Sequence, residues 1–272
     1  MLEVAKVSKS FEDEGKFKVL ENISFSVKDN EFVCILGPSG CGKTILLYLI
    51  AGFIKPTNGK IFLDKKVVVG ANPERMVVFQ NYVLFPWKTV YENILYALDS
   101  TDFSNEQKHQ LVEKYLRIIG LTRFKSWYPF KLSGGMQQRV AVARALVANP
   151  RVLLMDEPFS ALDIQYKKFL HKFLEKVWLR TKTSVVFVTH NVDEAIYLAD
   201  KIYLLSSRPA SVKKVYNINL PRPRDEHSYG FIKLSKKINN ALSTEFKKIL
   251  DDPGMEQSLE GLISMNERKG IL

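Results

Sequence analysis

The chain has 272 residues, 46% of them hydrophobic, and carries a formal net charge of +11. This composition supplies the core of one large α/β domain, and no apolar run approaches the roughly 18 residues that a transmembrane helix requires. The charge indicates an anionic partner without distinguishing a nucleotide from a nucleic acid or an anionic membrane surface. The two cysteines, Cys34 and Cys41, give no disulfide framework and favour a reducing compartment, and the N-terminus lacks the pattern of a signal peptide.

The first third of the chain alternates between strand and helix signals. Apolar and polar residues alternate over residues 1–8 and 18–28, which predicts two strands. A short apolar run over 31–36 is typical of a buried strand, and helical spacing follows over 43–53. Residues 59–69 have the pattern of a strand hairpin.

The middle of the chain predicts a helical insertion followed by a mostly parallel sheet. Helical spacing recurs over residues 89–120 and 134–148. Two buried-type strands, 151–155 and 184–188, are separated by a helix at about 163–181. Because alternating strands and helices form parallel βαβ units, we expect the core sheet to be mostly parallel.

The chain changes character after about residue 207. Prolines 209, 221 and 223 interrupt a stretch with few strand signals. Beyond them, apolar residues recur every three or four positions and predict an amphipathic C-terminal helix. These apolar positions are Phe231, Leu234, Ile238, Leu242, Phe246 and Ile249. We expect this helix to pack on its own domain; a membrane surface or a partner helix is the alternative.

Residues 37–44 form the first chemical motif. Their sequence fits G-x-x-x-x-G-K-[ST] at every fixed position, follows an apolar strand and opens a helix. Glycines let the main chain wrap around phosphate oxygens, and the helix N-terminus adds partial positive charge. Lys43 supplies a cation for the β- and γ-phosphates, and Thr44 supplies a hydroxyl for Mg²⁺. The predicted triphosphate site consists of Gly37, Pro38, Ser39, Gly40, Cys41, Gly42, Lys43 and Thr44. Because added bulk at Cys41 would collide with nucleotide, we expect sensitivity to thiol alkylation.

A second motif ends the strand at residues 151–155. Asp156 can hold Mg²⁺, directly or through water, and Glu157 can polarise the water that attacks the γ-phosphate. An Asp-Glu pair at a strand end is, by itself, more often a helix cap or a solvated turn. Beside residues 37–44 it gains weight, because strand ends at such a loop are where an α/β sheet binds ligands.

The segment Leu132–Arg139, read as Leu-Ser-Gly-Gly-Met-Gln-Gln-Arg, precedes that strand. Taken with the two motifs above, it resembles the signature of ABC transporter ATPases. Ser160–Asp163 and Thr189-His190 extend the match, which covers about residues 1–207. The resemblance implies an α/β P-loop NTPase (ABC ATPase) fold. This fold has a mostly parallel core sheet, an N-terminal antiparallel β subdomain and a helical subdomain that carries the signature.

The resemblance also implies a domain organisation. We expect an ABC ATPase domain over residues 1–220, with its helical subdomain at about 88–150. Residues 221–272 then form a C-terminal extension that contains the amphipathic helix.

Single residues acquire roles through the same resemblance. Gln80 matches the glutamine that contacts Mg²⁺ and water and senses the membrane partner, and His190 matches the histidine that contacts the γ-phosphate. Phe11 matches the aromatic residue that stacks on adenine, with a plain core or loop aromatic as the alternative. Asp163 matches the aspartate that communicates between two sites. The implied catalytic residues are Glu157, His190 and Lys43, and the implied Mg²⁺ ligands are Thr44, Gln80 and Asp156.

The signature residues point to a site shared between two copies. Ser133, Gly134 and Gly135 stand at a predicted helix start, where N–H groups make a second anion-binding nest. In the family, the signature of one copy caps the ATP held by the loop of the other, which implies a head-to-tail homodimer around two ATP molecules.

One position departs from the pattern. Ile45 replaces a threonine whose hydroxyl meets the α-phosphate, so we expect ATP binding to be weaker by about 0.5–1.5 kcal/mol.

Finer resemblance points to the importer branch for nitrate, sulfonate, taurine and related solutes. It rests on residues 85–87, on the Gly-Gly-Met-Gln-Gln form of the signature, and on residues 207–209 and 220–224. Importers of thiamine precursors and other small heterocycles look similar. The resemblance implies a peripheral protein at the cytoplasmic face of the membrane that contacts integral membrane permease subunits, and indirectly an extracytoplasmic solute-binding protein. Because the ATPase never touches the solute, its sequence does not name it.

Two other classes of function remain open from the sequence. A soluble ABC ATPase that acts on nucleic acid or ribosomes is compatible with the charge of +11. DNA-end-processing members carry a long coiled coil between the nucleotide motifs, however, whereas about 90 residues separate Thr44 from Ser133 here, and translation members usually have two such domains. We therefore expect no nucleic-acid partner. A division or cluster-assembly ATPase is the third class, and the arginine-proline tail after residue 207 argues against it by resemblance only.

Overall fold

The computed structural model describes residues 1–11, 17–160 and 162–250, with side chains described as far as residue 248. Ala161 of the motif at 160–163 and residues 251–272 of the predicted extension lie outside the described residues. The side chain of Ile249, counted in the predicted apolar stripe, also lies outside them.

The N-terminal sheet is antiparallel and has the strand order β2-β1-β4-β5. Its strands are β1 (Leu2–Phe11), β2 (Phe17–Val27), β4 (Asn58–Leu63) and β5 (Lys66–Val67). Alternating apolar residues such as Val4, Ile23 and Phe25 are buried on one face, as the period-two pattern predicts. The predicted antiparallel β subdomain is therefore confirmed.

The core sheet has the order β10-β9-β3-β8-β7-β6 and is parallel except for β10. Its strands are β3 (Phe32–Leu36), β6 (Arg75–Val78), β7 (Val152–Asp156), β8 (Ser184–Thr189), β9 (Lys201–Leu205) and β10 (Val212–Asn217). Every residue of β3, β7 and β8 is buried, because helices cover the faces of a parallel sheet. The mostly parallel sheet is confirmed.

One strand follows residue 207 in the described part of the chain, a stretch that the sequence marked as poor in strand signals. Strand β10 pairs antiparallel with β9, and Pro209 lies in the turn between them rather than in the ladder. A proline in a turn removes no ladder hydrogen bond, so the hairpin tolerates it.

Seven α-helices occur in the described part of the chain. They are α1 (Lys43–Ala51), α2 (Val90–Tyr96), α3 (Asn105–Ile118), α4 (Gly134–Val147), α5 (Ile164–Thr181), α6 (Val192–Leu198) and α7 (Tyr229–Leu250). The helical pattern over 89–120 is divided into α2 and α3, because Ser104 starts a new helix with a capping box to Gln107. None of these helices is long and apolar enough to cross a bilayer.

The C-terminal helix α7 packs against α6. Phe231, Ile238 and Leu242 are buried in the same apolar cluster as Ile196 of α6. The helix therefore packs on its own domain, as expected. The boundary at residue 220 and the subdomain limits at 88 and 150 stay predictions.

Arg224 fixes the arginine-proline segment before α7 to the end of α6. Arg224 is only 5% exposed, and its Nη1 donates to the carbonyls of Ile196 (2.6 Å), Tyr197 (3.0 Å) and Ala199 (2.6 Å) at the end of α6. Burial, together with the nearby charge of Arg222, lowers the pKa of Arg224 to about 10, so the side chain remains charged at neutral pH. These bonds satisfy carbonyls that a helix end leaves without partners.

Replacement of Arg224 by Met is predicted to destabilise the fold by about 2–4 kcal/mol, because several buried carbonyls lose their donor. Urea denaturation measures the effect. The exposed Lys237 on α7 gives the matched control, and Lys237→Met is expected to change the free energy of unfolding by less than about 0.5 kcal/mol. Equal stabilities for the two variants would contradict this role.

Candidate functional site

Three sequence motifs meet at one edge of the core sheet. The loop 37–42 follows β3, Asp156 is the last residue of β7, and His190 follows β8. Strands β3, β8 and β7 are parallel neighbours in that order. Their carboxyl ends therefore bring the three motifs together, at the edge where α/β sheets bind ligands.

Lys43 places a buried cation inside the loop. Its Nζ donates to the carbonyl oxygens of Gly37 (3.0 Å) and Pro38 (2.8 Å) and lies 3.5 Å from Oε1 of Glu157. The side chain is only 4% exposed. A buried charge needs such partners, and a bound polyphosphate offers it stronger ones.

The loop requires glycine where it enters helix α1. Gly42 has φ of 112°, and a Cβ there would lie 2.7 Å from Cγ1 of Val19. No side chain caps the first turn of α1, which leaves its N–H groups available to an anion.

Thr44 and Asp156 form a pair of oxygen donors. The Thr44 hydroxyl donates to Oδ1 of Asp156 at 3.1 Å, and Asp156 is 5% exposed. Burial raises the pKa of the Asp156 carboxyl; the Thr44 hydrogen bond opposes this shift, whereas the neighbouring charge of Glu157 adds to it. A nearby cation would favour the ionised carboxylate.

This pair fits Mg²⁺, which prefers oxygen ligands and takes few from the protein when phosphates complete its shell. Among the described residues, no three His, Cys, Asp or Glu side chains cluster into a metal site. Gln80 is the third predicted ligand. It lines the cavity that Lys43 and Thr44 also line, and its Nε2 donates to Oγ of Ser160 at 3.0 Å.

Glu157 connects the loop lysine to His190. Its Oε1 faces Lys43, and its Oε2 shares a hydrogen bond with Nδ1 of His190 at 2.8 Å. The main chain of Glu157 adopts φ of 41°, and its N–H donates to the carbonyl of Val188 in β8. A non-glycine residue in this region is strained, and such strain occurs often at active sites.

An open cavity of about 680 Å³ lies at these groups; Lys43, Thr44, Gln80 and Glu157 line it, whereas Asp156 and His190 do not. It is lined by Phe11, Phe17, Val19, Ser39, Gly40, Gly42, Lys43, Thr44, Ile45, Gln80, Glu157 and Arg208. Its lining combines the phosphate-binding loop and the Lys43 cation with two aromatic rings and a valine. The lining thus matches a molecule that carries both a polyphosphate and a planar base.

The predicted residues Gly37, Pro38 and Cys41 belong to the loop but do not line the cavity. The carbonyls of Gly37 and Pro38 bind Lys43 instead. The Cys41 side chain is 1% exposed and packs in the apolar cluster behind the loop, where burial raises the pKa of its thiol. Because the loop turns this side chain toward the core, its burial argues against the expected sensitivity to alkylation in the folded protein.

Sequence reasoning missed three lining residues, namely Phe17, Val19 and Arg208. Val19 was assigned only to a strand, and Phe17, just before the strand predicted over 18–28, was given no assignment. Arg208 was noted only in the stretch 207–209, which carried a resemblance. Its place at the cavity depends on the β9–β10 turn, which the strand pattern did not predict.

The signature residues lie apart from this cavity. Ser133 caps helix α4, with its Oγ accepting from the N–H of Met136 at 3.4 Å. A Cβ at Gly135 would overlap the ring of Tyr166, so the close approach of α4 and α5 requires glycine there. Ser133, Gly134 and Gly135 do not line the cavity of their own chain.

Comparisons with known proteins agree with these motifs. The sequence profile of the family described as "ABC transporter" matches residues 20–160. The nitrate import ATP-binding protein NrtD of Synechocystis sp. is 45% identical over 221 residues, 81% of this chain and 83% of the relative. The aliphatic sulfonates import ATP-binding protein SsuB of Bacillus cereus is 42% identical over 236 residues, 86% of this chain and 93% of the relative.

A solved structure has the same fold. The dimeric ATP-binding cassette MJ0796, in a post-hydrolysis state bound to ADP and Pi, superposes with a TM-score of 0.69 at 30% identity. The match covers 80% of this chain and 99% of that protein. The predicted fold is confirmed.

The burial of Cys41 predicts slow alkylation of the native protein. A maleimide is expected to label neither Cys34 nor Cys41 appreciably until urea unfolds the chain, because both thiols are buried. Mass spectrometry of labelled peptides, with and without urea, measures this. Rapid native labelling of Cys41 that ATP suppresses would contradict the observed orientation.

Proposed function

Because this chain belongs to the ABC transporter family, we propose that it is the ATP-hydrolysing subunit of an importer that takes up a small solute across the cytoplasmic membrane. The observation that carries the proposal is the carboxylate of Glu157, held between the loop cation Lys43 and His190. A triphosphate-binding loop together with a water-orienting carboxylate is what hydrolysis of a γ-phosphate requires.

ATP fits the cavity in one orientation. Its triphosphate lies in the loop 37–44, with Lys43 between the β- and γ-phosphates. The adenine lies at the apolar end, where Phe11 provides a ring face. Thr44, Asp156 and Gln80 are the proposed holders of Mg²⁺, which supplies charge neutralisation on the phosphates when bound.

Hydrolysis then follows from the positions of the side chains. Glu157 orients a water toward the γ-phosphorus and accepts its proton as the new P–O bond forms and the bond to the β–γ bridging oxygen breaks. His190, bonded to the same carboxylate, holds the γ-phosphate end. Lys43 stabilises the negative charge both before and during the reaction.

The separation of the signature from the cavity supports a site shared by two copies. Ser133 begins a helix of 14 residues whose first turn presents N–H groups. In a head-to-tail pair, these groups of one copy cap the γ-phosphate held by the loop of the other. The dimeric state of the 30% identical cassette supports this arrangement.

An apolar groove of about 460 Å³ is the proposed docking surface for the permease. Its walls include Phe53, Met76, Phe79, Phe85 and Tyr96, and the rings of Phe53 and Tyr96 are exposed. An exposed apolar groove of this kind is typical of a contact surface. Because Phe79 precedes the cavity residue Gln80 in the chain, a partner seated in the groove would contact the residue next to a nucleotide-binding side chain.

The proposal names the transported solute only by its chemical class. The two relatives have nearly equal identities, yet one is named for nitrate and the other for sulfonates. The ATPase subunit therefore does not specify the solute, and nitrate-, sulfonate-, taurine- or thiamine-precursor-like molecules all fit the proposal. The proposal also includes a peripheral location at the cytoplasmic face of the membrane. There, an extracytoplasmic solute-binding protein acts on this chain through the permease.

Two substitutions separate binding from chemistry. Glu157→Gln keeps the size of the side chain but weakens proton acceptance, so it should bind Mg-ATP nearly normally and lose about 100-fold or more of its turnover. Lys43→Ala should lose both affinity and turnover, because it removes charge from the ground state and the transition state. Calorimetry and phosphate release measure the two quantities.

The exposed Lys60 provides the control for a lost lysine, and Lys60→Ala should leave both quantities unchanged. Near-normal turnover in Glu157→Gln, or a folded Glu157→Gln that binds no ATP, would contradict the role given to this carboxylate.

A further inference from the structure

Arg208 is a cation that lies against the phosphate-binding loop. Its Nε donates to the carbonyl oxygen of Gly40 at 3.0 Å, and its Nη2 donates to the same oxygen. Its Nη1 has no hydrogen-bond partner in the part of the chain that the structure describes. The guanidinium thus has two nitrogens bonded to the loop and one without a partner among the described residues, and Arg208 lines the cavity.

The same guanidinium stacks on an aromatic ring at the apolar end of the cavity. Its Cζ lies 4.9 Å from the centroid of Phe17, and Phe17 lines the cavity beside Phe11 and Val19. Arginine stacks on planar π systems and donates hydrogen bonds in the plane of its fork. Arg208 therefore stands at the junction between the loop and the end that accepts the base.

Three parts of the fold hold the turn that carries Arg208. Ala210, two residues on, exchanges main-chain hydrogen bonds with β2, donating to the carbonyl of Val19 and accepting from the N–H of Glu21, both at 2.8 Å. The loop provides the carbonyl of Gly40. The third part is α7, where Oε2 of Glu245 accepts from the N–H of Ser207 at 3.1 Å.

Glu245 is unusual for a helix carboxylate, because it is only 2% exposed. Its Oε1 accepts from Nζ of Lys248 at 2.7 Å, one turn along α7. A buried carboxylate is costly unless it is bonded, and this one bonds the residue directly before Arg208. Among the described residues, the hydrogen bond from Ser207 to Glu245 therefore links the C-terminal helix to the turn at the nucleotide cavity.

We infer that Arg208 binds the nucleoside half of ATP, the base and ribose, and that Glu245 positions it from the C-terminal helix. The inference rests on the proposed ATPase function. Lys43 and Thr44 already serve the phosphates, whereas Arg208 has Nη1 unpaired in the described structure and stacks one face of its guanidinium on Phe17. A ribose oxygen suits Nη1, and the guanidinium face that Phe17 leaves open suits the π face of the base.

The test compares two ligands of the full-length chain that differ only in the nucleoside: Mg-ATP and Mg-tripolyphosphate. Arg208→Met should weaken ATP binding about fivefold to tenfold and change tripolyphosphate binding by less than about twofold. Arg208→Lys keeps the charge but loses the planar fork, so it should retain only part of the ATP affinity. Calorimetry measures each dissociation constant.

Equal losses for both ligands would assign Arg208 to the phosphates, and no loss would remove it from the site; either result overturns the inference. If the unsubstituted chain bound neither ligand, the proposed function itself would fail. The two failures are therefore distinguishable.

The positioning role of Glu245 predicts a separate pattern of affinity changes. Glu245→Ala should reproduce the selective loss of ATP affinity, and combining it with Arg208→Met should add less than about twofold, because both changes remove one contact. Glu245→Gln, which keeps an acceptor oxygen, should restore the affinity. Lys247→Met, at an exposed position of the same helix, serves as the control, with the affinity unchanged.

Should Glu245→Ala fail to fold, Glu245→Asp carries the same test, because it keeps the charge and shortens the side chain away from Ser207. Additive losses in the double variant, or equal losses of both ligands at an unchanged melting temperature, would overturn the positioning role.

Discussion

Lys43 carries a positive charge that is almost fully withdrawn from water, and the site is arranged around it. Two loop carbonyls and the carboxylate of Glu157 are its partners in the described structure. Neutral carbonyls compensate a buried ammonium only in part, so a triphosphate gains a strong ionic contact when it enters the loop. The glycines that shape the loop, the Asp156 carboxylate and the strained Glu157 all stand within reach of that one charge.

The local part of this arrangement was predictable from the sequence. Residues 37–44 are contiguous, and Asp156 and Glu157 end an apolar strand, so a parallel sheet alone brings them to one edge. The direction of the Cys41 side chain was not predictable, because it depends on how the loop folds over the apolar cluster behind it. Arg208 and Phe17 could not be placed either. Their positions depend on the β9–β10 turn and on its main-chain bonds to β2, which join segments about 190 residues apart.

The C-terminal helix packs on the domain core and also contacts the turn that lines the nucleotide cavity. Its amphipathic pattern predicted only that it packs on the domain, and Phe231, Ile238 and Leu242 do so. What the pattern could not reveal is Glu245, a buried carboxylate on the same helix that holds the turn of Arg208. A segment that looked like an appendage thus contributes to the geometry of the nucleotide cavity. The signature helix α4, by contrast, contributes nothing to the cavity of its own chain.

The central claim is that each complete site joins the loop of one copy to the signature of another. It is tested most directly by mixing two defective copies, both carrying Glu157→Gln to block turnover. One copy also carries Lys43→Ala, and the other carries Ser133→Asp, which still caps α4 but repels phosphate. With ATP, energy transfer between labelled copies should report pairing in the mixture, because one site is intact there, and none for either variant alone. Self-pairing of the Ser133→Asp copy, or no pairing in the mixture, would contradict the shared site.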